Sequence, residues 1–367
     1  MSDPVRVGIV GCGNISGLYI QGCQKFDILK LVACADLDMA RAEAKAKELN
    51  VPRACAVEEL IADPEIEIVV NLTIPAAHFP VAEKALLAGK NAYNEKPLSV
   101  TREQGAKLLK LAKARKLRVG CAPDTFLGAG LQTCRKLVDD GWIGTPVGAT
   151  AFMLSRGPER GHPDPEFFYK PGGGPLFDMG PYYLTAMVNL LGPVRAVTGM
   201  TRASFSERIV TSKPKYGQRI KVETPTHIVA VLEFASGAIG NMVMSFDCWR
   251  TNLPRIEVYG SDGTLGVPDP NTFGGPVLFA RAQEAFAEVP LSHAYREQFR
   301  SLGIADLAYG LRSGRAHRAS GELACHVLDV MHAILDAGRE GKRVKVKSTC
   351  AQPAPLPVGL REGILDE

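Results

Sequence analysis

The first third of the chain alternates short apolar runs with stretches of helical period. Val5-Arg-Val-Gly-Ile-Val10, Leu29-Lys-Leu-Val-Ala-Cys-Ala35, Glu65 to Thr73, Asn91-Ala-Tyr93 and Arg118-Val-Gly-Cys121 have the length and apolar content of buried strands. Between them, the residues from Leu18 onward, Met39 to Leu49, His78 to Leu87 and Thr101 to Lys116 read as helices, with stops at Asn50-Val-Pro52 and Gly89. Strand and helix in alternation predict a parallel sheet with helices on both faces.

The pattern changes after Ala122-Pro123. One more helix is expected over Leu131 to Asp140, and strands follow at Val147 to Leu154, Val194 to Arg202, Thr226 to Phe234, Gly237 to Phe246 and Arg255 to Tyr259. Ala235-Ser-Gly237 separates two alternating runs as a hairpin turn does. Helices are expected here only at Leu176 to Leu191 and Glu322 to Ala337, and the proline-rich tail from Gln352 is expected to run extended along the surface. The fold class is therefore α/β. An N-terminal Rossmann-type domain is expected over residues 1–123, and over 124–367 an α+β domain with an open, largely antiparallel sheet.

The first strand runs into Gly8-Ile-Val-Gly11-Cys-Gly13-Asn-Ile-Ser16-Gly17. Gly11 permits a tight turn, Gly13 lets a pyrophosphate approach the main chain, and the following helix start offers N–H groups and a dipole to its charge. Ser16 stands at the third glycine position of the fingerprint. Asp36 closes the second strand 23 positions after Gly13, where a carboxylate accepts hydrogen bonds from ribose hydroxyls and repels a 2′-phosphate. Leu37-Asp38 follows without an adjacent arginine, which favours NAD over NADP.

Composition narrows the class. At 367 residues, 46% hydrophobic and 22% charged, the chain suits a globular enzyme of two domains. A net charge of +4 without a basic block argues against nucleic acid, and the N-terminus enters the first strand with no signal-like or membrane-spanning run. Nine cysteines without a close pair suggest reduced thiols in a cytoplasmic protein, and no His/Cys/Asp cluster has metal-ligand spacing.

Two further motifs carry chemistry: Glu95-Lys96-Pro97 after a strand end, and Gly172-Gly-Gly-Pro-Leu-Phe-Asp178-Met-Gly-Pro-Tyr182. Pro97 holds the Lys96 backbone extended, which aims its side chain. Burial beside a cationic nicotinamide would lower the lysine's pKa and make it a usable base or proton relay. Asp178 and Tyr182, four apart, share a helix face, but Pro181 between them suggests that the helix begins near Gly180-Pro181 with Asp178 just before it.

With the glycine loop and the late Tyr259-Gly-Ser-Asp-Gly-Thr-Leu265, these motifs resemble those of the Gfo/Idh/MocA oxidoreductases over essentially the whole chain. The resemblance implies a cofactor site formed by Gly11, Gly13, Asn14, Ile15, Asp36, Ile74, Pro75, His78, Glu95 and Lys96. It implies Tyr182 as the acid–base, at a position that is histidine in many relatives and tyrosine in others. Lys96 would orient Tyr182 and lower the phenol's pKa, and Asp178 would hold a neighbouring hydroxyl of the substrate. His162 and Asp124 are further substrate candidates, although Asp124-Thr125 stands where many relatives carry Asn-Arg. The implied activity is NAD-dependent oxidation of a secondary ring hydroxyl of a sugar, glycoside or cyclic polyol, by a homodimer or homotetramer joined through its C-terminal sheet. The alternatives are an NAD-dependent glycosidase using transient oxidation and a non-catalytic sugar- or NAD-sensing regulator.

Overall fold

The computed structural model describes residues 3–366. Its N-terminal half contains β1 (Val5–Val10), α1 (Ser16–Cys23), β2 (Leu29–Ala35), α2 (Met39–Leu49), β3 (Ala54–Cys55), α3 (Val57–Ala62), β4 (Ile68–Asn71), α4 (Pro75–Leu87), β5 (Asn91–Asn94), α5 (Arg102–Arg115) and β6 (Val119–Cys121). The strands form one sheet in the order β3-β2-β1-β4-β5-β6, and every neighbouring pair is parallel. That is the doubly wound order, which places ligands outside the carboxyl ends of the strands near the β1/β4 reversal.

Local chemistry sets the helix limits. Asp38 caps α2 by accepting from the Arg41 amide, and Asn50 ends it in the left-handed region at φ 54°. Thr101 and Gln104 form a reciprocal capping box on α5. Pro75 opens α4 in its first turn, where its missing N–H removes no helical bond.

The second half begins with α6 (Ala129–Asp139) and β7 (Pro146–Leu154), followed by α7 (Gly174–Leu191). Then come β8 (Val194–Arg202), β9 (Glu207–Ile209), β10 (Arg219–Lys221), β11 (His227–Phe234), β12 (Ile239–Ser245), β13 (Ile256–Gly260), β14 (Gly263–Val267), β15 (Val277–Arg281) and β16 (Ala287–Val289). The chain finishes through α8 (Leu302–Ser313), α9 (Gly321–Glu340) and β17 (Val344–Lys345). Nine strands form a sheet in the order β16-β15-β14-β13-β7-β12-β11-β8-β17, antiparallel except where β12 runs parallel to β7.

Strand alternation decides how the halves meet. Val7, Ile9, Ile68 and Val70 point to one face of the Rossmann sheet and join a core that continues through α7 and α9 into the large sheet. Ala33, Ala35, Val69 and Ala92 point to the other face and pack under α3, α4 and α5. Each fully buried valine or isoleucine contributes about 1.5–3 kcal/mol, so the shared core fixes one half on the other. The tail is extended, with Leu356 buried and its amide donating to Gln132 Oε1 at 2.7 Å.

Two expectations are corrected. Helix α8 lies where none was expected, and β14, β15 and β16 extend the sheet beyond Tyr259. Helix α7 begins at Gly174-Pro175 rather than near Gly180, so Asp178 lies inside it and Pro181 is an interior proline. An interior proline costs about 3 kcal/mol. Here the helix is buried on nearly every side, and tertiary packing outweighs that cost.

Candidate active site

The glycine loop leaves the carboxyl end of β1. Gly11 has φ +102°, and a Cβ there would lie 2.8 Å from the Leu72 carbonyl, so no side chain fits either the conformation or the space. A Cβ on Gly13 would meet nothing within 4 Å; the main chain there is open to an approaching group. Ser16 is buried and its hydroxyl donates to the Gly13 carbonyl at 2.7 Å, holding the loop in place of a third glycine contact. Asn14 is exposed and Ile15 half-buried at the start of α1.

Asp36 stands beside this loop. Its carboxylate accepts from the Cys12 amide at 2.8 Å and the Asp38 amide at 3.0 Å. Arg41, which the sequence reading passed over, reaches back from the first turn of α2 to within 3.5 Å of the same carboxylate. The absence of an arginine immediately after Asp36 therefore does not mean that none is near. Ile74 is 70% exposed at the entry to α4, and Pro75 follows it in the first turn.

His78, expected beside the cofactor, lies in the first turn of α4 behind Ile74 and Pro75. Its ring is buried, with Nδ1 2.6 Å from the Pro97 carbonyl and Nε2 3.0 Å from the Thr73 carbonyl. Burial holds it below the ordinary histidine pKa despite those carbonyls. Its visible work is to tie the loop after β4 to the loop after β5. Asn71 and Asn94 join the same tie: Asn71 Nδ2 donates to Asn94 Oδ1 and to the His78 carbonyl, both at 3.1 Å.

That tie positions Glu95 and Lys96. Glu95 is buried; its carboxylate accepts from the Tyr19 hydroxyl at 2.8 Å and from the Lys96 amide at 2.7 Å, joining α1 to the lysine. Lys96 Nζ crosses to the other half of the molecule and donates to the Asp178 carbonyl at 2.6 Å and to Asp178 Oδ1 at 2.9 Å. The Asp178 carbonyl, in the turn of α7 before Pro181, accepts the lysine. Lys96 Nζ also lies 5.4 Å from the centroid of the Tyr182 ring, within cation–π range.

Lys96 has a carboxylate partner in the free protein. Burial opposes its charge, but Asp178, Tyr182 and Glu95 outweigh burial and hold its pKa above the usual value. The expected fall is one beside a bound nicotinamide; in the free protein Asp178 is the counter-ion. Tyr182 is 5% exposed, and its pKa is raised by burial, against the pull of Lys96 and Arg300. Arg300 Nη2 lies 3.4 Å from the Tyr182 hydroxyl. No sequence motif marked this arginine.

Two further candidates fall outside the cluster. Asp124, expected to meet substrate, is fully buried, and its carboxylate accepts from the Ser301 amide at 3.0 Å and the Gly303 amide at 3.1 Å. It anchors the start of α8, and burial raises its pKa. His162 lies on the loop before α7, where Nδ1 accepts from the Asp164 amide at 3.0 Å and the ring stacks edge-on against Phe167 and Phe168. It stabilises a turn. Among the described residues no group of three or more His, Cys, Asp or Glu is arranged to hold a metal ion.

The geometry thus brings together a cation, a carboxylate and a phenol at the carboxyl end of the parallel sheet, with the glycine loop and Asp36 on the neighbouring strands. Such a set can bind vicinal hydroxyls and move a proton. Residues 5–122 match a family described as "Oxidoreductase family, NAD-binding Rossmann fold", and residues 131–266 match the "GFO/IDH/MocA C-terminal domain". The chain is 25% identical over 313 residues to D-xylose dehydrogenase of Paenarthrobacter nicotinovorans, covering 76% of this chain and 78% of that protein. It is 21% identical over 372 residues to scyllo-inositol 2-dehydrogenase (NADP(+)) IolW of Bacillus subtilis (strain 168), covering 94% and 97%. An NAD binding oxidoreductase from Klebsiella pneumoniae has the same fold, with a TM-score of 0.83 at 22% identity over 94% of this chain and 99% of that one. The chain belongs to the Gfo/Idh/MocA family of oxidoreductases, with an NAD-binding Rossmann domain at its N-terminus.

Proposed function

We propose that the protein is an NAD-dependent dehydrogenase that oxidises a secondary ring hydroxyl of a sugar, glycoside or cyclic polyol. The observation that carries this reading is the Lys96–Asp178–Tyr182 cluster, assembled from both halves of the chain at the sheet end where a dinucleotide bound to the glycine loop would extend. Bound NAD supplies the hydride acceptor. Tyr182 takes the proton of the reacting hydroxyl, Lys96 donates to its oxygen, and Asp178 accepts from the neighbouring hydroxyl. The names of the two relatives, one a sugar and one an inositol dehydrogenase, support this substrate class. A panel of aldoses, glycosides and inositols screened for NADH absorbance tests it; no turnover of any cyclic hydroxyl compound by an NAD-binding preparation would contradict it.

The NAD preference rests on Asp36, whose carboxylate would accept from the adenosine ribose. Asp36→Ala should weaken NAD binding about 10- to 100-fold, the worth of a hydrogen bond to a charged group. It also releases Arg41 to meet a 2′-phosphate, so the preference should move toward NADP. Titration of both nucleotides by tryptophan quenching checks this, and unchanged NAD affinity would refute it.

We further propose assembly through the outer face of the large sheet. Met200, Val229, Val231 and Ile239 are exposed there at 79%, 41%, 42% and 61%, on three adjoining strands. An apolar face of this kind favours burial against a second copy. Sedimentation equilibrium should return a dimer or tetramer; a monomer at micromolar concentration would exclude this interface. Among the described residues no helix is long and apolar enough to cross a membrane.

A further inference from the structure

The Tyr182 hydroxyl has two cations near it, and they are not equivalent. Lys96 faces the ring and gives two of its three donors to Asp178. Arg300 reaches the oxygen itself, with Nη2 at 3.4 Å, and the same nitrogen donates to Asn271 Oδ1 at 3.0 Å. Arg300 is 5% exposed, and its Nε and Nη1 have no hydrogen-bond partner among the described residues. Its nearest carboxylate oxygen, Asp124 Oδ1, is 3.9 Å from Nη1 and also unpartnered. A buried guanidinium with unused donors is held against a phenol that is neutral at rest.

The backbone around Arg300 is built to keep it there. Ser301 is fully buried and left-handed at φ 93°, a conformation that a serine keeps only when its surroundings impose it. They do so from three sides. The Ser301 amide donates to Asp124, its hydroxyl donates to the Tyr19 carbonyl at 2.9 Å, and a Cβ on Gly22 would fall 1.8 Å from the Arg300 carbonyl oxygen. Only glycine at position 22 lets α1 approach this segment so closely. Asp124, which touches no part of the Lys96 cluster, therefore has a role in fixing Arg300.

We propose that Arg300 is a positioning residue that holds the Tyr182 oxygen and stabilises its phenolate during proton transfer, an inference that rests on Tyr182 being the acid–base group. The substrate O–H bond breaks and its proton joins the Tyr182 phenolate oxygen. The C–H pair leaves as hydride to bound NAD, and the proton then passes from the neutral phenol to solvent. Arg300 stays protonated throughout, and its contact with the oxygen shortens when that oxygen is charged. The other charged groups facing Tyr182 are Lys96, Glu95 and Asp178.

The test is the pH dependence of kcat for oxidation, with the best substrate of the screen, in the wild type, Arg300→Met and Arg300→Lys. Arg300→Met should lower kcat at least about 10-fold and move the midpoint of the rising limb up by about one pH unit or more, the size expected when one charge-assisted contact is lost. Arg300→Lys should recover part of both. NADH affinity within about twofold of wild type separates this from general damage. An unmoved midpoint in Arg300→Met overturns the proposal; if that variant does not fold, Arg300→Lys decides, since a midpoint and kcat equal to wild type would show that the oxygen contact is not needed. Tyr182→Phe run in parallel keeps the two ideas apart. Wild-type turnover there removes the Tyr182 reading itself, whereas its loss together with an indifferent Arg300 removes only this inference.

Discussion

Replacing Lys96 by methionine is expected to lower kcat by about 10²–10⁴-fold while the protein still folds and binds NADH. The lysine bridges the two halves at the candidate site, through the Asp178 carbonyl and carboxylate. Methionine keeps the length and apolar stem but offers no donor to a substrate oxygen. Asp178 keeps partial access to water, with 22% of its side chain exposed, so it can rehydrate when its partner is removed. The stability cost should then be small, about 1–2 kcal/mol. Steady-state kinetics beside a thermal melt and an NADH titration separate these effects. A variant with more than a tenth of wild-type kcat would leave Lys96 as a structural ion pair.

Tyr182→Phe should cause a loss of similar size, about 10²–10⁴-fold, with a different signature. In the wild type, burial raises the phenol pKa while Lys96 and Arg300 pull it down, so the base form increases with pH. Oxidation should accordingly speed up as pH rises toward that pKa, with log kcat gaining about one per pH unit below it. Phenylalanine keeps the ring in the α7 core, under Arg300 and beside Lys96, and removes only the oxygen. The residual activity should lose that limb. Full turnover with an unchanged profile would assign the proton transfer elsewhere, to Lys96 first.

The parts of this picture that were legible in the sequence are those set by local chemistry. The glycine loop shows itself because Gly11 needs a positive φ and a bare Cα, and the strand before it because Val7 and Ile9 are buried. Lys96 and Asp178 were legible through short motifs with a proline or glycines that aim the chain. The remainder depends on partners far apart in sequence. Helix α8 contains Gly303 and Gly310, poor helix formers, and the amides of Ser301 and Gly303 at its start are satisfied by Asp124, nearly 180 residues earlier. Gly303 is there for packing, since a Cβ would meet the Tyr93 hydroxyl at 2.1 Å. Arg300 has no motif at all; only the folded segment shows that its side chain ends at the Tyr182 oxygen. Pro181 misled for the same reason, because the cost of an interior proline is local whereas the burial that outweighs it is tertiary.

Everything proposed for the site reduces to direct hydride transfer from a ring carbon, beside Lys96 and Tyr182, to NAD. The most direct measurement uses a cyclic polyol or sugar from the screen carrying deuterium on the carbon to be oxidised. The expected result is deuterium at the nicotinamide C4 of the NADH formed, retained in one stereochemical position, with a primary isotope effect when chemistry limits turnover. NADH formed without deuterium, or product formed with no NADH at all, would contradict it.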